Sequence, residues 1–325
     1  MEVIKIIVLG GLENINIFKV IRQIVRVGKV IFYFGGGNMR CIYGAGVVKG
    51  ISQRMPLPEL FEKTREFVVG SGGGINVAGL VAAQADTPGR VCMEDLQKGF
   101  VSYSGAINRI LRGFGGKIGL NWAVNSAPNC VNIDYLMDVL KNKRKLNSKK
   151  IKSCPVPIMM KLFEVNKNKI IYEDMRRNPF KTIKQGVSLI PYYSFSGHLV
   201  DGEIFEPLDV DYLLSKKQKG DKIVVVLNYP PGNGIKHLVK NWLERNVAGD
   251  ISPKFAEQFV KKDRIFEEQV ERLKRIIGKD VLFVYPDKSD PTRSRTTDSK
   301  TLKITYEMGI RDAERIEDFV RKSIN

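Results

Sequence analysis

Short apolar runs alternate along the chain with glycine-rich breaks and stretches of helical periodicity. Val3–Leu9 is a β-branched run that ends at Gly10-Gly11, so it predicts a buried strand. Asn16–Val27 sets Ile17, Ile21 and Ile24 at helical spacing. Lys29–Phe34 predicts a second strand closed by Gly35-Gly36-Gly37, and Met39–Gln53 a helix that Pro56 and Pro58 terminate. Phe67–Val69 predicts a strand running into Ser71-Gly72-Gly73-Gly74, with Ile75–Ala85 continuing as helix. Ile158–Val165 and Lys169–Tyr172 flank Asn-Lys-Asn and predict a hairpin, and Lys222–Leu227 another buried strand. Residues 254–277 predict an amphipathic helix, Val281–Tyr285 a strand, and Ser299–Ile324 mostly helix.

Strands interleaved with helices imply an α/β layered sheet. One domain with a mostly helical C-terminal extension is the simplest organisation. Residues 1–27 then form a strand–helix extension, 28–240 the core, and 241–325 the C-terminal extension packed on it.

Composition narrows the class. With 43% hydrophobic and 27% charged residues in 325, the chain is neither disordered, collagenous nor a coiled coil. The four cysteines (Cys41, Cys92, Cys130, Cys154) form no CxxC pair, and only His198 and His237 accompany them. Zinc-ligand spacing is therefore missing, and no metal or cofactor is expected. No basic, apolar, small-residue leader opens the sequence, and its apolar runs are too short to span a bilayer. A cytoplasmic, reduced setting is the expectation.

The formal net charge of +18 calls for an anionic partner, either nucleic acid or a membrane surface. Residues 134–200 hold 14 basic and 5 acidic side chains, half of the excess. The densest run carries Lys141, Lys143, Arg144, Lys145, Lys149, Lys150 and Lys152 without an acid. It suits a solvated loop or an anionic bilayer surface. It lacks the interleaved aromatics of a single-strand nucleic-acid groove.

Two strand-to-helix junctions carry candidate chemistry. At Gly35-Gly36-Gly37-Asn38 the backbone N–H groups can converge on an anion beside a helix N-terminus, although such a run also serves as a plain tight turn. At Val69-Gly70-Ser71-Gly72-Gly73 a serine stands at the apex of a strand–turn–helix, as a nucleophile elbow requires. An N-cap serine is the competing role. Neither His198 nor His237 is well placed by sequence as its base; a carboxylate could serve instead.

Together these segments resemble the patatin-like phospholipase family, which combines a glycine-rich oxyanion loop, a G-x-S-x-G elbow and a later D-G-G or D-G-A. Gly36-Gly37-Asn38-Met39-Arg40 is similar to the loop, Ser71-Gly72-Gly73-Gly74-Ile75-Asn76 to the elbow and the helix after it, and Asp201-Gly202-Glu203 to the last motif. Leu302–Gly309 is similar to the C-terminal part of bacterial cytoplasmic members. The resemblance covers roughly residues 28–310. It implies a three-layer α/β/α patatin-like sheet and a lipase- or phospholipase-like serine esterase using a Ser-Asp dyad. Ser71 and Asp201 would be catalytic. Gly36, Gly37, Asn38 and Met39 would form the oxyanion hole, with Arg40, Gly73 and Gly202 in support.

The sequence departs from that pattern at several points. Asn38 and Cys41 replace loop glycines, Val69 replaces the first elbow glycine, Glu203 the last glycine of D-G-G, and Asp209 a proline. A one-residue shift would put Gly72 in the nucleophile's place and describe a dead enzyme; the Ile75-Asn76 spacing favours Ser71. A catalytically silent lipid-binding or scaffold protein is the alternative.

Overall fold

The computed structural model describes residues 28–97, 99–100, 131–189, 197–203, 205–231 and 253–322. The strand expected at Val3–Leu9, the helix at Asn16–Val27, Cys130 and His237 lie outside these residues.

Among the described residues, seven strands form one mixed, mostly parallel sheet. They are β1 (Val30–Phe34), β2 (Thr64–Val69), β3 (Ile158–Glu164), β4 (Lys169–Asp174), β5 (Leu199–Asp201), β6 (Lys222–Val226) and β7 (Val281–Val284). The order across the sheet is β4-β3-β2-β1-β6-β7, and β5 pairs β3. The helices are α1 (Ile42–Arg54), α2 (Leu57–Lys63), α3 (Gly73–Val81), α4 (Thr87–Arg90), α5 (Ile133–Asp138), α6 (Ser148–Lys152), α7 (Pro179–Gly186), α8 (Val210–Lys216), α9 (Pro253–Ile277) and α10 (Ser299–Arg321).

Strand β1 explains the layering. All five of its residues are buried, as befits the centre of a parallel sheet covered on both faces. Val30, Phe32 and Phe34 point into one core with Ile42 of α1, Val77 of α3 and Leu302 of α10. Ile31 and Tyr33 point the other way, to Leu213 of α8 and Phe266, Val270 and Leu273 of α9. The architecture is thus three layers, helices on a sheet on helices. Residues 281–284, in the expected C-terminal extension, enter the sheet beside β6 in parallel.

Helix α1 starts where the glycine-rich turn after β1 ends, and α10 packs tightly along it. A Cβ on Gly309 would lie 2.8 Å from the Val47 backbone nitrogen, and one on Gly50 would lie 2.6 Å from the Ile310 carbonyl. Only glycine allows the backbones to come this close. Among the described residues, no helix is long and apolar enough to cross a membrane.

Candidate active site

Pairing along β3 brings the two candidate catalytic residues together. Strand β2 runs parallel to β3 and ends with Val69 opposite Met160. Strand β5 is antiparallel to β3, with Asp201 opposite Leu162. Because β4 pairs with β3 from Met159 to Glu164 on its other edge, β2 and β5 share one edge. Their ends are two residue steps apart along β3, about 7 Å at the usual rise. The turn leaving β2 therefore arrives beside the end of β5.

Ser71 occupies that turn with φ of 47°, the left-handed region that a non-glycine residue rarely adopts. The turn closes through hydrogen bonds from Gly73 N to Gly70 O (2.9 Å) and from Gly74 N to Ser71 O (3.1 Å). Gly73 opens α3 so close to β1 that a Cβ there would stand 2.9 Å from the Gly35 carbonyl. Val69 fits without strain: it is the last residue of β2, fully buried and paired with Phe34 and Met160. A β-branched residue suits a strand end, so this departure does not disturb the turn.

The Asp201 carboxyl is buried, accepts a hydrogen bond from the Glu203 N–H at 2.9 Å, and has the Ser71 hydroxyl as a neighbour. Burial and then the neighbouring Glu203 charge push it from 3.8 up to about 7, against the pull of the Glu203 N–H, the nearby Ser71 hydroxyl and the Lys161 charge. Removing a carboxylate from water favours its protonated form. Asp201 is thereby a carboxyl group that exchanges its proton near neutral pH. Gly202, next to it, lies within 3.0 Å of the Leu162 backbone, measured from a Cβ built on it.

The glycine-rich loop lies across from Ser71. A Cβ on Gly36 would meet the Ser71 side chain, 2.9 Å from its Oγ. Gly37 has φ of 150° and Asn38 of 56°. The N–H groups of Gly37 and Asn38 have no protein acceptor among the described residues. Two expected donors are engaged: Gly36 N–H donates to Glu203 Oε2 at 2.6 Å, and Met39 N–H to the Ser294 carbonyl at 3.4 Å. Met39 belongs to the loop as a buried side chain. The Arg40 guanidinium lies 5.5 Å from the centre of the Tyr229 ring. Burial pulls the pKa of Arg40 down from its ordinary value.

Asn228, one residue past the end of the hydrophobic run of β6, ties the loop down. Its amide donates to the carbonyls of Gly35 (2.6 Å) and Gly36 (3.1 Å), while its Oδ1 accepts from Gly44 N–H at 2.9 Å. Asn76 adds a bond to the Cys41 carbonyl at 3.0 Å. No sequence motif had pointed to Asn228; its only signal is a polar residue directly after a buried strand. Asp209, where a proline was expected, caps α8 through Tyr212 N–H and accepts from the Tyr172 hydroxyl at 2.7 Å.

An apolar cleft opens beside Ser71. Its wall includes Met39, Ile75, Leu96, Phe100, Ile133 and Leu136, with Ser71 and Asn38 among its few polar lining residues. Helix α5 contributes Ile133 and Leu136 and leads into the basic run. Within that run, Lys143 and Arg144 bind Asp95, and Arg144 also reaches Glu94. Lys141, Lys145, Lys149, Lys150 and Lys152 are exposed. His198 is exposed on the far side of β5's start, where its Nδ1 contacts Asn166 at 2.8 Å.

No family model matches the sequence, and no curated protein matches it. Among solved structures, VipD from Legionella pneumophila is similar over 87% of this chain and 67% of its own, at 9% identity and a TM-score of 0.35. So loose a likeness carries no argument about activity.

Proposed function

We propose that this chain is a patatin-like serine acyl hydrolase that cleaves carboxylic esters of lipids or related acyl compounds. One observation carries the reading. A serine held in a left-handed strand–turn–helix apex stands beside a buried carboxyl group, Asp201, whose pKa burial and the Glu203 charge raise to about 7.

Asp201 accepts the Ser71 proton as Oγ bonds to the acyl carbon, giving a tetrahedral oxyanion. The N–H groups of Gly37 and Asn38, which have no acceptor among the described residues, are the donors proposed for that charge, and the N-terminus of α3 adds its partial positive charge. As the intermediate collapses, the ester C–O bond breaks and Asp201 returns the proton to the leaving alkoxide. Water then attacks the acyl-enzyme, again giving its proton to Asp201; the Oγ–acyl bond breaks, Asp201 returns the proton to Ser71 Oγ, and the free acid leaves. The apolar cleft suits the acyl chain, since each buried methylene favours binding by about 0.8 kcal/mol. The exposed lysines of the basic run suit an anionic bilayer carrying the substrate.

Hydrolysis of p-nitrophenyl butyrate and labelling by a fluorophosphonate test this reading. Ser71→Ala abolishes both while the protein stays folded, and Asp201→Asn lowers turnover by roughly 10²-fold or more. Unchanged activity in Ser71→Ala overturns the assignment. A second reading, a silent lipid-binding protein, draws on the Glu203 carboxylate that occupies the Gly36 N–H. It predicts fatty-acid binding in the cleft with Ser71 left unlabelled.

A further inference from the structure

The third residue of Asp201-Gly202-Glu203 is where the family resemblance calls for a glycine, and here it places a carboxylate inside the site. Glu203 Oε2 accepts from Gly36 N–H at 2.6 Å, a short charge-assisted bond. A Cβ built on Gly36 would stand 2.6 Å from this oxygen and 2.9 Å from Ser71 Oγ, so the carboxylate and the nucleophile flank the same loop glycine. A carboxylate oxygen on a backbone N–H beside the serine has the charge and the hydrogen-bonding partner of a tetrahedral oxyanion.

The side chain is held from behind. The Tyr33 hydroxyl donates to Glu203 Oε1, and the same hydroxyl oxygen accepts from Lys161 Nζ at 3.1 Å. Lys161 is fully buried, with Nζ 3.8 Å from Glu203 Oε1 and 2.9 Å from the Pro207 carbonyl. Tyr33 and Lys161 lie on β1 and β3, so this anchor is built into the sheet. The Glu203 side chain keeps 17% of its surface exposed, which leaves it a way out toward solvent.

On the acyl-hydrolase reading, which this inference rests on, we propose that Glu203 is an internal oxyanion surrogate. It blocks the Gly36 donor at rest and must swing away from the loop before Ser71 reacts at full rate. Tyr33 and Lys161 set how firmly it is held. The donor it occupies is of a kind whose removal typically costs an enzyme 10²–10³-fold in turnover.

The rate of Ser71 labelling by a fluorophosphonate, with p-nitrophenyl butyrate hydrolysis alongside, tests this in wild type, Glu203→Ala and Glu203→Gln. Ser71→Ala serves as the blank, and a thermal melt verifies folding. Opening the donor raises the labelling rate about tenfold or more in Glu203→Ala. Glu203→Gln rises less, because its amide oxygen still accepts from Gly36 without the charge. Should loss of the counter-charge to Lys161 unfold Glu203→Ala, the Gln variant decides. Equal or slower labelling in the folded variants, with wild type still labelled at Ser71, overturns the gate and leaves the hydrolase reading standing. Failure of every variant to label at Ser71 overturns both.

Discussion

Ser71 and Asp201 are neighbours where β2 and β5 meet end to end along one edge of β3. The contact depends on strand register. A shift of one residue in β5 would turn the Asp201 side chain to the opposite face of the sheet. The geometry of this pair and its loop, the α1–α10 contact and the exposed lysines lead to four expectations besides the tests already described.

The first concerns pH. Burial and then the Glu203 charge raise Asp201 to about 7, so its ionised, proton-accepting form dominates only above that value. The kcat/KM for p-nitrophenyl butyrate should rise with pH through about 7 and level off beyond it. Glu203→Gln removes one of the two upward pushes, so its midpoint should lie at lower pH. Stability follows the same shift. Between 3.8 and about 7 the folded protein holds a proton that the unfolded chain has released. Asp201's contribution therefore falls as pH rises through that window. A flat rate profile, or a midpoint unmoved in Glu203→Gln, contradicts the assignment.

Asn228 should matter both to folding and to turnover. Asn228→Ala leaves the buried Gly44 N–H and two loop carbonyls without their partners, at a cost of about 1–3 kcal/mol for an unsatisfied buried group. Urea unfolding should register that loss, and kcat should fall more than KM rises because the loop carries oxyanion donors. Wild-type stability in this variant would show that the loop does not depend on Asn228.

At the α1–α10 contact, Gly309→Ala places a methyl group against the backbone of Tyr43 and Val47. These atoms are not the far end of a flexible side chain, so the helices must separate. The expected loss is about 2 kcal/mol, read as a lower melting temperature. An unchanged melt would mean that the two helices slide freely past each other.

Exposed lysines on α6 should govern attraction to anionic surfaces. Replacing Lys149, Lys150 and Lys152 together by Gln removes about 1 kcal/mol each of attraction to a phosphatidylglycerol vesicle, roughly 10²-fold in partitioning. Co-sedimentation measures this, with phosphatidylcholine vesicles as the neutral control. Equal sedimentation with both lipids, or no loss in the triple variant, removes the electrostatic argument.

Much of the scaffold is legible from local pattern. Strands β1, β2, β3, β4, β6 and β7 coincide with apolar or alternating runs, and α9 and α10 with helical periodicity, within a few residues at their ends. Strand β5 has only three residues and too few side chains to show any period, so it is visible only through the Asp-Gly motif at its end. The short helices α5, α7 and α8 escape for the same reason, since each has eight residues or fewer. Met39 shows the limit of a motif: its position in the loop says nothing of the Ser294 carbonyl that takes its N–H.

By itself, the sequence determined an α/β sheet and two glycine-rich turns. One of those turns carries a serine between a strand and a helix. These are local properties, set by side-chain period and by the small residues that permit close backbone approach. Which carboxylate reaches which donor was decided only by the tertiary structure. Asp201 meets Ser71 and Glu203 meets Gly36 because β5 joins β3 in one register, and because Tyr33 and Lys161 hold Glu203 from across the sheet. Such pairings join residues distant in the chain, and no local pattern encodes the register that brings them together.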